Sequence, residues 1–539
     1  MNFNLNFVRY RILLTGLGFL YFLNILPVLE AAGQAAPDFP AGNATLYCTE
    51  VDSVLRKRND QPFVFGVASG DPSTREVWIW TALNPYAPGL QGAGNPASDQ
   101  EVACTWEIAT DSLFQKVVRQ GSAPTNAGIA YTIKVKVDEL PEATRLYYRF
   151  VWNGKISPTG RTRTFGAAMN QIALGVASCS NLEWGYFNAY RTLAQMDEVD
   201  AVLHLGDYIY EYEPNRYGKK DFVRKNWPAR EIISLQDYRS RYAQYHLDAD
   251  LQEMRRRHPL ITIWDDHEIA NDAHVTGAQN HQDSTEGPWE LRKKAALKAY
   301  FEALPVADHP DFRIRRSLSL GPLADLCLLD GRLEGRSPQV RNGQDSLRRD
   351  SLRTMLGEAQ RTWLIDQVRN SKARWKLIGN QVIFSAYDYP PQMTRYSKSM
   401  DMWEGYPVER GLLLDTWARE KERNLVMLTG DVHATFAMDL RQNHRDAATV
   451  LGVEWVTPSI TSASLDEYQP RYKVRIVERW FKKGGLNPHL RYLNFRDHGF
   501  MVVRLTQDEA RCTWYYEKNI LKSRPKTAKT VTRTQRHQP

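Results

Sequence analysis

The stretch from Val202 to Tyr212, VLHLGDYIYEY, constrains the chain most. It opens as a short apolar run, the pattern of a buried strand, and ends in a tight turn carrying a carboxylate, Asp207. A charge at the end of a core strand costs several kcal/mol unless it is paired or holds a metal. Three more stretches share the pattern. Ile172–Ser180 (IALGVASCS) ends in Cys179, Leu260–Asn271 (LITIWDDHEIAN) carries Asp265, Asp266 and His267, and Asn424–His433 (NLVMLTGDVH) ends in Asp431 and His433. Buried strands that each deliver Cys, Asp, His or Tyr at their C-terminal ends are how α/β sheets assemble active sites.

With 539 residues the chain is too long for one core, so two or more domains are expected. Apolar residues at 42% and charged residues at 24% are ordinary for a globular protein. The net charge of +8 suits an anionic substrate or surface, although part of it sits in the closing segment SRPKTAKTVTRTQRHQP. Residues 521–539, which contain it, read as a solvated, disordered basic tail. No basic motif interleaved with aromatics is visible, which speaks against nucleic acid as a partner.

Residues 1–36 read as a targeting segment. Arg9 and Arg11 precede the apolar stretch Ile12–Leu29, and the small residues AAGQAA follow. That is the order of a secretory signal. The stretch is also almost long enough to span a bilayer, so an uncleaved anchor is the alternative, and membrane contact would run through this segment alone. Either way the expected location is outside the cytoplasm: periplasmic, secreted or membrane-anchored. Five cysteines in so large a chain make no disulfide framework. Cys48 and Cys104 could pair; Cys327, in LCLLD, reads as a core thiol, and Cys512 lies in a late strand.

Residues 61–166 are a β-rich block. Its runs at Val77–Thr81, Cys104–Ala109, Tyr131–Val137 and Leu146–Trp152 are separated by Gly and Pro turns such as ASGDP, a structural turn, and suggest a β-sandwich. From about residue 167 to 520 strand and helix alternate. Helices are expected over Phe187–Met196, Asp237–Arg257, Trp289–Ala303, Gly357–Ser371 and Gly411–Arg423, and strands over Asp325–Asp330 and Trp375–Ile383. Closing strands are expected at Gly499–Leu505 and Arg511–Glu517. Residues 272–288 and 384–410 have no period and read as lid or binding loops.

The motifs ASCS at 177–180, GYFNAYR at 185–191, HLGDYIYEY at 204–212, WDDHEIAN at 264–271, MLGEAQRTWL at 355–364, TGDVH at 429–433 and VTPSITS at 456–462 together resemble the PhoD-type alkaline phosphatases. These are exported members of the calcineurin-like metallophosphoesterase group. The stretch FGVASGDPSTREVWIWTALNP resembles their N-terminal Ig-like domain, and the likeness runs from about Phe63 to Glu517. It implies an α/β (α+β) architecture: a four-layer αββα metallophosphoesterase domain preceded by an Ig-like β-sandwich. It also implies hydrolysis of phosphodiesters and phosphomonoesters by a metal-activated water at a two-metal site containing iron(III) and calcium.

Carried over by position, the resemblance makes Cys179, Asp207, Tyr210 and His433 iron-side ligands, with Asp431 in the same shell and Asp207 bridging to calcium. Asp265, Asp266 and Asn271 become candidates for the calcium side, the choice between the two aspartates staying open, and His267 for contact with the transition state. These residue types suit the chemistry. A thiolate and a phenolate beside a carboxylate fit a trivalent iron, and calcium takes oxygen ligands. Arg332, just past the LCLLD strand, reads either as a bidentate phosphate contact or as a surface arginine. Alone, each aspartate would be a cap or turn residue, and Tyr210 could be packing. His204 reads as structural; His274, His281 and His498 carry no assignment. The chain is expected to act as a monomer. Monoester, nucleotide, teichoic-acid-like polymer and phospholipid all fit as phosphoester substrates. A surface binding protein with a residual metal site, or a hydrolase of another ester, are the competing readings.

Overall fold

Two sheets face each other across the main core. The computed structural model describes residues 45–90, 100–393, 398–445, 450–523 and 531–537, so the expected leader, residues 1–36, lies outside the described residues. The larger sheet has nine strands, and its centre is the parallel trio Ile172–Ala177, Ala201–His204 and Leu260–Thr262. The smaller has seven, centred on Ala324–Leu328, Trp375–Asn380, Leu425–Thr429 and Val450–Val456.

The period-two alternation of the strands builds the layers. In the strand Leu425–Thr429, Val426 and Leu428 join the core between the sheets with Leu174, Leu203 and Ile261. Leu425 and Met427 face the other way, onto Leu364, Val368, Leu413 and Trp417 of the helices Gly357–Asn370 and Pro407–Arg419. Helices Asn188–Ala194, Leu235–His246, Ala249–Arg257 and Trp289–Ala303 pack residues such as Leu193, Tyr238, Leu251 and Ala299 against the larger sheet. The result is the expected α/β architecture of helices, two sheets and helices. Each fully buried Leu, Ile or Val contributes about 1.5–3 kcal/mol.

The strands of the N-terminal block divide between two sheets. Val102–Ala109, Val117–Thr125, Arg145–Trp152, Lys155–Ile156 and Gly160–Arg163 form a five-stranded antiparallel sheet. Val67–Gly70, Val77–Ala82 and Thr132–Val137 instead extend the nine-stranded sheet, through a parallel pairing of Gly70 with Leu260. The turn ASGDP pins this seam. Asp71, at φ 41°, accepts from Arg316 Nη2 at 2.6 Å and Nε at 2.9 Å and from the Ala307 N–H at 3.0 Å. Breaking a buried pair from one side strands the other charge. Asp71→Ala is therefore expected to lower unfolding stability by about 3 kcal/mol. Urea denaturation checks this, and a loss below about 1 kcal/mol would mean the pair is merely superficial.

Four expectations are corrected. The helix expected over Asp237–Arg257 is two helices, because the Asp248 side chain accepts from the N–H groups of Asp250 and Leu251 and starts a second one. The helix expected over Gly411–Arg423 runs from Pro407 to Arg419, with proline in its first turn. Cys48 and Cys104 do not pair; all five cysteines are free and buried. Within the expected disordered tail, the backbone of Val531–His537 forms an edge strand against Ala510–Tyr516.

Candidate metal centre

The parallel register brings the strand ends to one level. His204 lies beside Ala177 on one side and Thr262 on the other, so Cys179, Asp207 and the Asp265–His267 turn leave the larger sheet together. In the smaller sheet Asn380, Thr429 and Val456 align in the same way, and Asp431 and His433 follow. Backbone bonds from Ile460 N to Ser178 O and from Thr461 N and Ser462 N to Cys179 O tie the two sets of loops into one site.

The backbone at this site is held in a costly form. Cys179, Asp207, Asp431 and His433 have φ of 60°, 54°, 62° and 51°, the left-handed region that non-glycine residues seldom occupy. Each such residue costs of order 1–3 kcal/mol and persists only where its surroundings over-determine it. Gly206, at φ 98°, is required for a second reason: a Cβ there would lie 2.4 Å from the Asp265 backbone nitrogen. Glycine thus lets the turn carrying Asp207 touch the turn carrying Asp265.

Two groups of potential ligand atoms result, each within 4.8 Å of one another: Cys179, Asp207 and His433, and Asp207, Asp266 and His267. Asp207 is common to both. Tyr210 joins the first, its hydroxyl 2.9 Å from Asp207 Oδ2 and 3.5 Å from His433 Nε2. Ser462 Oγ lies 2.6 Å from the same hydroxyl and 2.9 Å from the Cys179 carbonyl. Of the two neighbouring aspartates, Asp266 belongs to the second group and Asp265 does not. Asp265 Oδ1 instead accepts from Arg332 Nε.

Carboxylates that the sequence reading left without a role hold these turns in place. Glu268 accepts from the N–H groups of Asp207 at 3.0 Å, Tyr208, and Asp265 at 2.7 Å, clamping both turns with one side chain. Glu211 Oε2 lies 2.7 Å from His267 Nδ1, while its other oxygen accepts from the Asn271 N–H and from Asn280 Nδ2. The His267 ring lies on Tyr210 at a centroid distance of 4.3 Å. With Nδ1 held by Glu211, the other ring nitrogen is left for chemistry.

Arg332 is fully buried, which corrects the surface reading. The bidentate reading is narrowed too. Nε goes to Asp265, and Nη1 donates to Asp401 Oδ1 at 2.7 Å and Oδ2 at 2.9 Å. Only Nη2 is uncommitted, 3.6 Å from Asp266 and 3.9 Å from Asp431. Asp401 comes from the aperiodic segment 384–410 and also accepts from Arg336 Nη2 at 2.6 Å and Gln339 Nε2 at 2.8 Å. The Asn271 side-chain amide nitrogen donates to Gln279 Oε1 at 3.0 Å. His204 is structural as expected, bound to the Tyr190 hydroxyl at 2.8 Å. His498 bridges Ser459 and Glu467, each at 2.9 Å, behind the Cys179 loop.

Electrostatics describe a site short of positive charge. Burial, then the nearby aspartates, pushes Asp207 well above the usual carboxylate range. Burial pushes Asp265 to about 8 against the pull of Arg332, and Asp431 to about 7 with Asp401 adding to the effect. Burial also pushes Glu268 to about 8 and raises the Cys179 thiol well above its ordinary value. Asp207 Oδ1, Asp265 Oδ2 and Asp266 Oδ1 are buried with no hydrogen-bond partner among the described residues. Crowded carboxylates with orphaned oxygens, beside a thiol, a phenol and two imidazoles, fit multivalent cations. For His267, burial opposes the charged form, but Glu211, Asp266 and Asp207 outweigh it and raise the proton affinity of the ring.

The Glu211–His267 pair gives a direct check. Glu211→Gln keeps the shape and removes the charge, so kcat is expected to fall about 10–100-fold with KM little changed. Steady-state kinetics of the hydrolysis that the resemblance implies would show it; an unchanged kcat would make Glu211 a packing residue only.

Comparison with known proteins agrees with the geometry. The family model "PhoD-like phosphatase" matches residues 174–514, and "PhoD-like phosphatase, N-terminal domain" matches residues 49–166. Alkaline phosphatase D of Bacillus subtilis is 35% identical over 446 residues, covering 80% of this chain and 74% of its own length. A solved structure described as "Structure of PhoD" superposes with a TM-score of 0.77 at 33% identity, over 88% of this chain and 90% of that one.

Proposed function

Because the chain belongs to the PhoD-like phosphatase family, we propose that this phosphatase hydrolyses phosphodiesters and phosphomonoesters at a two-metal centre outside the cytoplasm. The observation that carries the reading is Asp207, the one residue shared by both ligand groups. Cys179, Asp207, Tyr210 and His433, with Asp431 beside them, would hold iron(III). Asp207 and Asp266, with Asp265 and Asn271 as further oxygen donors, would hold calcium. Bound there, the ions supply a Lewis-acid clamp on the phosphoester and a nucleophilic water at neutral pH.

The residues of the chain do the rest. His267, oriented by Glu211, gives a proton to the leaving oxygen as the bond from phosphorus to that oxygen breaks. Arg332 is held rigid by Asp265 and Asp401, and its open Nη2 adds fixed positive charge where the phosphoryl oxygens gain negative charge. Tyr210, Tyr212 and Tyr217 pack around His267 and shield it from bulk water. Export rests on the charged, apolar and small-residue order of residues 1–36. No helix among the described residues is long and apolar enough to cross a membrane.

The test is hydrolysis of bis-p-nitrophenyl phosphate and of the matching monoester, as isolated, after chelation and after calcium is restored. Turnover that disappears on chelation and returns with calcium supports the reading. A metal-loaded protein that cleaves neither ester would transfer the site to another ester or to a binding role.

A further inference from the structure

The loop that closes over the candidate metal centre leads directly into an exposed basic helix. His433 Nδ1 lies 3.1 Å from the Ala463 carbonyl, and Ser464 Oγ donates to the His433 carbonyl at 2.9 Å. Ser464 then caps the short helix Leu465–Tyr468, and Pro470 starts the helix Arg471–Lys482. One face of that second helix is buried through Val474, Val477 and Phe481. Its other face is unusual for a helix already packed on a core. Tyr472 and Ile476, one turn apart, are 63% and 39% exposed, and Tyr468 just before them is 52% exposed. Arg475 and Arg479, also one turn apart, are exposed beside them, and Lys483 follows. Among the described residues no carboxylate pairs with Arg475, Arg479 or Lys483; Arg471 alone on this outer face is paired, with Asp466 and Asp497.

An aromatic path joins this face to the centre. The Tyr468 ring meets Trp184 at 6.0 Å, Trp184 meets Tyr217 at 6.1 Å, and the Tyr217 hydroxyl is 3.3 Å from His433 Nδ1. Unpaired cations call for a negatively charged partner. Apolar side chains set among them call for a partner with an apolar layer under its charge. Tyrosine beside arginine is the combination found at the headgroup level of a membrane. A soluble polyanion would use the cations and leave Tyr472 and Ile476 without a role.

We propose that the exposed face of the Arg471–Lys482 helix, with Tyr468, docks on the surface of an anionic lipid bilayer and presents headgroup phosphodiesters to the metal centre. This rests on the hydrolase reading above and narrows its substrate class to phosphoesters held at a membrane surface.

The full chain carrying an environment-sensitive fluorophore on a Tyr472→Cys variant tests it, with vesicles of phosphatidylcholine alone and of phosphatidylcholine with phosphatidylglycerol. The dye reports on this helix whatever residues 1–36 do. A blue shift with the anionic vesicles is expected, weakened at least about tenfold in apparent affinity by Arg475→Glu with Arg479→Glu. In an unlabelled background those two changes should leave turnover of soluble bis-p-nitrophenyl phosphate unchanged. An emission that does not respond to anionic vesicles overturns the proposal. A shift reproduced equally by soluble polyphosphate also overturns it, assigning the face to an anionic polymer. Loss of soluble-diester turnover in the unmodified chain would count against the hydrolase reading and is scored separately from the dye.

Discussion

Replacing Asp207 by alanine is expected to abolish phosphoester turnover and to lower the content of both metals. No other residue stands in both ligand groups, so the substitution opens the two together. The turn itself should survive. Glu268 holds the backbone N–H of residue 207 rather than its side chain, and Gly206 provides the close approach to Asp265. The change removes a buried charge crowded by other carboxylates along with the acceptor of the Tyr210 hydroxyl, so the metal-free chain should still fold, while the stabilisation that bound metals give is lost. Each metal ion stabilises charge in the transition state by several kcal/mol, and 1.36 kcal/mol is tenfold in rate, so the loss should reach about 10³-fold or more. Turnover of the diester, metal content and thermal unfolding measured on one preparation separate the cases. An inactive protein that keeps both metals would place Asp207 outside the ligand set.

The second large effect is expected at His267. Its imidazole is buried, packed against the Tyr210 ring at a centroid distance of 4.3 Å, and held at Nδ1 by Glu211. General acid catalysis contributes about 10²–10⁴-fold, and most where the leaving group is poor. His267→Gln should therefore slow hydrolysis of a methyl or other alkyl ester by about 10²–10⁴-fold. It should slow a p-nitrophenyl ester much less, since p-nitrophenolate leaves without help. The ratio of the two losses is the readout. Equal losses on both esters would make His267 a metal ligand or a binding group, in line with its place in the second ligand group.

The clustering of the candidate residues was legible because they travel in short motifs at strand ends, where a carboxylate directly after an apolar run is costly without a partner or a metal. Cys179, Asp207, Tyr210, Asp266, His267 and His433 converge as the motifs imply. What supports them was hidden for physical reasons. Glu211 and Glu268 stand within the same motifs, but nothing in spacing says that a glutamate turns back to catch backbone N–H groups or an imidazole. Asp401 comes from a segment without period and reaches Arg332 only through tertiary folding. Arg332 itself shows why a lone arginine is ambiguous: burial, invisible in the sequence, is what sets aside the surface reading. In the fold, alternation of strand and helix announced the layers. The parallel pairing of Gly70 with Leu260 depends on a register between distant segments, which no local pattern encodes. The break at Asp248 turned on a cap competing with an otherwise continuous helical pattern.

The most direct measurement of the central claim is the metal content of the chain as isolated, set beside its turnover of bis-p-nitrophenyl phosphate as each metal is removed and restored. The two-metal reading predicts iron and calcium bound together and turnover that falls with the loss of either. Full turnover by metal-free protein, or turnover that follows a single metal, would contradict it.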